Sequence, residues 1–376
     1  MQRFNLFTPT RIIFGEDKIK TLSGILPVNS NKVLIVTGKN SSKTNGILDI
    51  TQTILTNANK KIFIFDEIEP NPLTNTVDSG AKIARENSVD LVLGIGGGSP
   101  LDASKSIAML VNNEGPIKDY INGKKIINPV LPIITVPTTA GTGSEVDQSV
   151  VISDSETKSK TGLSSEFMFP HFAILDPTFT LSMPHSLTVD TGIDALTHVI
   201  EGYLSTKATI SSDKLALEAI EIIKETLPLI VKTPKDISLR TQMLYASMLG
   251  GIVISKTGTI MLHAMGYPLT TFYNIPHGRA NGILLPTMME FLKGDKIDTI
   301  NYIFRNNLRK FLNNLGISTN LRDYGIISED VMKFLNNVWG RRNFVVTPKV
   351  VTKKDIINLY KQALQVIQEK KKPYNT

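Results

Sequence analysis

Four short runs of β-branched and aliphatic residues, Val33 to Thr37, Ile62 to Asp66, Val89 to Gly94 and Leu131 to Val136, are separated by stretches long enough for a helix and a return. An antiparallel hairpin needs only a few linking residues, whereas a parallel pair needs a crossover, so this rhythm points to βαβ units and a parallel sheet. Asn71 to Glu86 and Ser99 to Val111 have the length and apolar spacing of crossover helices. After Pro184 strand-like runs nearly vanish and helix-period segments take over, among them Leu215 to Leu227, Thr241 to Ile254 and Asp355 to Lys370. The expected organisation is an α/β domain over 1–183 and an all-helical domain over 184–376, and 376 residues suffice for two cores. No internal repeat is visible, and only Lys370 to Thr376 reads as a loose tail.

Composition matters chiefly for what it removes. The chain has no cysteine, which excludes disulfides, thiolate metal sites and cysteine nucleophiles, so any metal must be held by His, Asp or Glu. Hydrophobic residues at 41%, charged residues at 20%, and 26 Gly and 19 Pro without a period describe an ordinary globular protein. The net charge of +7 is scattered, short runs such as Lys353-Lys354 read as solvated faces, and no basic stripe interleaved with aromatics marks a nucleic-acid groove. A moderate positive charge suits an anionic cofactor equally well. The stretch Met1 to Thr10 lacks the apolar core of a leader and nowhere do eighteen apolar residues run together, so a cytoplasmic protein without a membrane partner is expected.

The run Asp90 to Ile95 ends in Gly96-Gly97-Gly98-Ser99-Pro100, and a helix is expected to open there with Ser99 as N-cap and Pro100 in the first position. Glycines let backbone N–H groups approach a ligand, and the helix terminus adds partial positive charge, which fits a pyrophosphate. A tight strand-to-helix turn without a ligand fits the same residues, since G-G-G-S is not the G-x-G-x-x-G fingerprint. A second loop, Pro137 to Glu145, carries Thr138, Thr139, Thr142 and Ser144 and follows the next strand, whose C-terminal end belongs beside the first. Its hydroxyls can bind a nucleotide without adding charge, though a plain surface loop would read alike.

Of five histidines, His198 lies four residues after Asp194 in a helical segment, so both project from one face and can grip a divalent cation. His263 sits in a later helix that Pro268 is expected to end, and His277, between Pro276 and Gly278, is expected on a turn. One Asp and three His suit Fe²⁺ or Zn²⁺ better than Ca²⁺ or Mg²⁺. Each histidine alone reads as a hydrogen-bonded structural residue; the case rests on the set. Glu201, seven after Asp194, falls on roughly the same face and fits either a group orienting a ligand or a solvated carboxylate.

Taken in order, G-G-G-S-P-L-D, P-T-T-A-G-T-G-S-E-V, D-A-L-T-H-V-I-E-G-Y and I-P-H-G-R-A-N-G resemble the iron-containing alcohol dehydrogenase family over nearly the whole chain. The resemblance implies an N-terminal nucleotide-binding α/β domain with a parallel sheet, an all-helical C-terminal domain, and an active site between them. It implies Asp194, His198, His263 and His277 as metal ligands, Gly97, Gly98 and Ser99 as the pyrophosphate cradle, Thr138, Thr139 and Thr142 along the nucleotide, and Asn71, Asp102 and Lys160 close by. The implied reaction is reversible hydride transfer between a primary alcohol and a nicotinamide, with the metal as Lewis acid, in a homodimer.

Two departures from the family pattern carry information. Many members read H-x-x-x-H from the third ligand, the second histidine being implicated in proton relay; here the second position is Tyr267, which either relays through its hydroxyl or only shapes the pocket. NAD-preferring members resemble V-T-D after the first strand, the carboxylate accepting from the ribose 2′-hydroxyl; here Gly38 stands there with Lys39, Ser41 and Ser42 beside it, which favours NADP(H), NAD(H) remaining possible. A glycerol-dehydrogenase-like or dehydroquinate-synthase-like enzyme shares the domain plan, and a non-catalytic module would show a damaged site, whereas the ligands and glycines here are intact.

Overall fold

The computed structural model describes residues 4, 7–154, 156, 157 and 159–365. The described residues form eight strands: β1 (Arg11–Phe14), β2 (Lys32–Gly38), β3 (Lys61–Ile68), β4 (Leu91–Gly96), β5 (Ile133–Pro137), β6 (Ser149–Asp154), β7 (Ser159–Ser164) and β8 (Phe172–Leu175). Six of them form one parallel sheet in the order β1-β8-β5-β4-β2-β3. The main crossover helices are α1 (Ile47–Asn57), α2 (Thr74–Glu86) and α3 (Gly98–Asn112). Alternation along the strands divides the core. Val33 and Ile35 pack with Leu48 and Leu55 of α1 on one face, while Leu34 and Val36 pack with Val77 of α2 and Ile107 of α3 on the other.

The sheet holds more than the four expected strands. β1 and β8 are only four residues long, too short for a periodic signal, and pair with each other. β6 and β7 form a separate antiparallel hairpin, polar on its exposed side. Its approach is pinned by Lys105, a fully buried α3 side chain whose ammonium donates to the carbonyls of Ser144, Asp147 and Ser149 at 3.0, 3.0 and 2.6 Å.

From His185 onward the described chain is helical: α4 (His185–Leu204), α5 (Ile210–Ile230), α6 (Ile237–Thr257), α7 (Met261–Tyr273), α8 (His277–Leu292) and α9 (Lys353–Leu364), with shorter helices between the last two. By length and composition α6 is apolar enough to cross a membrane, but it packs against α4 and α5 inside the helical core. The end of the segment expected to run to Lys370, and the tail after it, lie outside the described residues.

Three local expectations are corrected. The helix after β4 begins at Gly98 with Gly97 as N-cap, not at Pro100 after a Ser99 cap, because the Ser99 hydroxyl instead accepts the Asn71 N–H at 3.1 Å. Pro268 does not end α7, which continues to Tyr273. Proline removes one rung of the ladder, and beside that gap the buried Tyr360 hydroxyl donates to the Met265 carbonyl at 2.7 Å while the surrounding residues stay buried. His277 is the first residue of α8, capped by Pro276, rather than part of a turn.

Candidate active site

The two loops expected to hold a nucleotide touch each other at the C-terminal ends of β4 and β5. A Cβ on Gly97 would lie 3.2 Å from Thr139 Oγ1, and one on Gly98 only 2.7 Å from Thr142 Cγ2, so the bare backbone is required for the loops to meet. That packing leaves the N-terminal N–H groups of α3 beside a hydroxyl-rich wall, a place for phosphate oxygens. Thr138 is buried and its N–H is spent on the Gly96 carbonyl at 2.9 Å. Asn71, in the left-handed region at φ 61°, accepts from the ammonium of Lys160 on β7. Burial lowers Lys160 to about 8, against the pull of Asp194. Asp102 is largely committed to the fold: one carboxylate oxygen accepts from Ser144 Oγ at 2.5 Å and the other from the Val151 N–H at 2.8 Å. Gly38 ends β2, half-buried, and Lys39 beside it is exposed.

The second loop also reaches the helical half. Gly141 lies so close to Thr191 of α4 that a Cβ there would sit 2.6 Å from its side chain, and the Gly141 carbonyl accepts from His198 Nδ1 at 3.3 Å. One loop thus joins the glycine cradle to the histidine cluster.

Asp194, His263 and His277 each present one ligand atom, all within 4.8 Å of one another. His198 is outside that tight set, but its ring stacks on His263 at 4.6 Å between centroids. A Cβ on Gly278 would lie 1.9 Å from the Asp190 carbonyl oxygen and 2.8 Å from Asp194 Cβ, so glycine after His277 is what lets α8 abut α4. Arg279 reinforces that contact by donating to Asp190 at 2.8 Å.

The electrostatics suit a cation. Asp194 Oδ1, His263 Nε2 and His277 Nδ1 are buried without a hydrogen-bond partner among the described residues, a costly arrangement for a protein with nothing to place there. Burial takes His263 down to about 4, moves His198 down and His277 well down, so all three imidazoles are neutral and offer lone pairs. Glu201, fully buried on α4, contacts His263 Nδ1 and accepts its backbone N–H at 3.2 Å. Burial lifts this carboxyl; a neutral His263 that carries its proton on Nδ1, toward Glu201, leaves the Nε2 lone pair facing Asp194, 3.8 Å away. These donors fit a divalent iron or zinc ion.

Tyr267 lies against the cluster, its ring stacked on His277 at 5.5 Å and 12°. Burial pushes its hydroxyl up to about 12. Sequence reading missed Arg341, whose guanidinium sits 4.7 Å from the Tyr267 ring centre; in Gly340-Arg341-Arg342 it looks like any solvated basic pair. It also missed Asn281, fully buried beside His277, whose only signal is its place in the I-P-H-G-R-A-N-G stretch.

A donor set that fits a metal ion, one loop away from a glycine turn that fits a pyrophosphate, is the arrangement expected of a metal-dependent dehydrogenase. Residues 9–177 match the iron-containing alcohol dehydrogenase family and residues 188–364 match the C-terminal region of the Fe-containing alcohol dehydrogenase family. The chain is 31% identical to 1,3-propanediol dehydrogenase of Citrobacter freundii, over 96% of each chain, and 32% identical to NADH-dependent butanol dehydrogenase A of Clostridium acetobutylicum, over 96% of this chain and 100% of the other. An iron-containing alcohol dehydrogenase of Thermotoga maritima superposes with a TM-score of 0.90 at 40% identity, over 97% of this chain and 100% of that one. The chain belongs to the iron-containing alcohol dehydrogenase family and is an oxidoreductase acting on CH–OH groups.

Proposed function

We propose that this enzyme interconverts a short primary alcohol or diol and its aldehyde using NADP(H), with Fe²⁺ or Zn²⁺ held by Asp194, His198, His263 and His277, and that its two domains divide at residue 183. The observation that carries the reading is the convergence of unpartnered Asp194, His263 and His277 atoms within 4.8 Å. When bound, the ion supplies Lewis acidity toward the substrate oxygen. The chain's own groups do the rest. Gly97, Gly98 and Ser99 present N–H groups to the pyrophosphate, Thr138, Thr139 and Thr142 flank it, and Lys160 and Asn71 approach from β7 and the loop before α2. The Gly141 carbonyl and Glu201 fix the tautomers of His198 and His263. With its hydroxyl pushed to about 12, Tyr267 shapes the pocket, and water or cofactor hydroxyls carry the proton.

Relatives named for 1,3-propanediol and butanol support a short, unbranched substrate. The NADP(H) preference rests on Gly38, where no carboxylate meets a ribose 2′-phosphate, with Lys39 exposed beside it. The nearby Asp66 carboxylate is engaged by Lys43. Metal-stripped protein, reconstituted separately with Fe²⁺ and Zn²⁺, is to be assayed for NADPH and NADH oxidation with short aldehydes and hydroxyaldehydes. Metal-dependent turnover favouring NADPH is expected. Tighter NADH overturns the cofactor preference, and no turnover with either metal despite cofactor binding overturns the function. A Cβ on Gly38 meets nothing closer than 3.4 Å, so Gly38→Asp is expected to fold and to move the preference about tenfold or more toward NADH, about 1.4 kcal/mol.

A further inference from the structure

A histidine that ligates a metal is normally oriented by a hydrogen bond from its other ring nitrogen. His198 has one, to the Gly141 carbonyl, and His263 has one, to Glu201. His277 has only a long one: Nδ1 is unpartnered among the described residues and Nε2 lies 3.5 Å from the Asn281 amide, against 3.3 Å for His198. An aromatic face also packs on it. The Tyr267 ring lies nearly parallel to it, at 12° and 5.5 Å. The Arg341 guanidinium in turn lies 4.7 Å from the tyrosine centroid. Arg341 is itself fastened, Nη1 donating to the Lys160 carbonyl at 2.6 Å, Nε to the Asn337 carbonyl at 3.1 Å and Nη2 to Asn337 Oδ1 at 3.2 Å.

We propose that Tyr267 is a positioning residue for His277, its ring, clamped by Arg341, setting the imidazole plane where the hydrogen bond to Asn281 is long. The inference rests on the metal assignment above and deepens it. It concerns the ring of Tyr267 and not its hydroxyl, so phenylalanine satisfies it and an aliphatic side chain of similar bulk does not.

The test is the affinity of the full-length protein for Zn²⁺, measured by competition with a chromogenic chelator, with nucleotide affinity and far-UV circular dichroism as controls. Tyr267→Leu is expected to weaken Zn²⁺ about 10- to 100-fold, the usual effect of removing an orienting partner, with nucleotide affinity unchanged. Tyr267→Phe is expected to stay within about threefold of wild type, since the stacking face is retained. Arg341→Met, which frees the ring without deleting it, is expected to weaken Zn²⁺ severalfold and serves if the leucine variant does not fold. Wild-type affinity in Tyr267→Leu or Arg341→Met, or equal losses in Tyr267→Phe and Tyr267→Leu, overturns the proposal. A wild type that holds no Zn²⁺ overturns the metal assignment and the proposal with it.

Discussion

Gly278 and Lys160 show how single residues set this site. Any Cβ at 278 collides with the Asp190 carbonyl and with Asp194. Gly278→Ala therefore has to push α8 away from α4, costing about 1–3 kcal/mol or more and separating His277 from Asp194. A lower thermal midpoint together with loss of bound metal in elemental analysis is the expected result. Lys160 is half-charged at about pH 8, because burial lowers it. As pH rises through 8 the ammonium loses its proton, so nucleotide affinity is expected to fall by roughly tenfold, the weight of one charge-assisted hydrogen bond. Isothermal titration between pH 7 and 9 checks this, and Lys160→Met is expected to flatten the profile. Legibility varied sharply at this scale. Asp194 and His198 were readable together because a spacing of four is local helix geometry. Arg341 was not, because its meaning lies in Tyr267, 74 residues earlier.

Elements were legible in proportion to their length and periodicity. The strands of the sheet centre, buried on both faces, announced themselves as continuous aliphatic runs, while β1, β8 and the polar β6–β7 hairpin did not. A helix through Pro268 was likewise invisible, since local rules stop it and burial with Tyr360 sustains it. The hairpin's dependence on one buried ammonium gives a test at this scale. Lys105→Met orphans the carbonyls of Ser144, Asp147 and Ser149 and leaves Asp102, 3.5 Å from that ammonium, without its cation. A loss of about 3–5 kcal/mol is expected, the cost of breaking a buried charge pair, with the segment around β6 and β7 first to lose protection in hydrogen exchange.

At the scale of the whole molecule the cradle and the cluster belong to different packing units, joined through the 137–145 loop. Chelation is therefore expected to abolish turnover while leaving nucleotide affinity within about twofold, well under the 1.4 kcal/mol of a tenfold change. Metal at 100 times its dissociation constant is expected to stabilise the native state by about 2.7 kcal/mol, seen as a rise in the thermal midpoint that a chelator reverses. By itself the sequence determined the parallel sheet, the change to helices after Pro184, the glycine turn and the Asp194–His198 pair, because each is encoded in the period or spacing of neighbouring residues. Only the tertiary structure decided that α7 and α8 bring His263 and His277 to that pair, that Gly141 links them to the 137–145 loop, and that Tyr267 stacks on His277 with Arg341 beside it. Those are contacts between segments far apart in the chain, set by which faces pack against each other, and no local pattern carries that information.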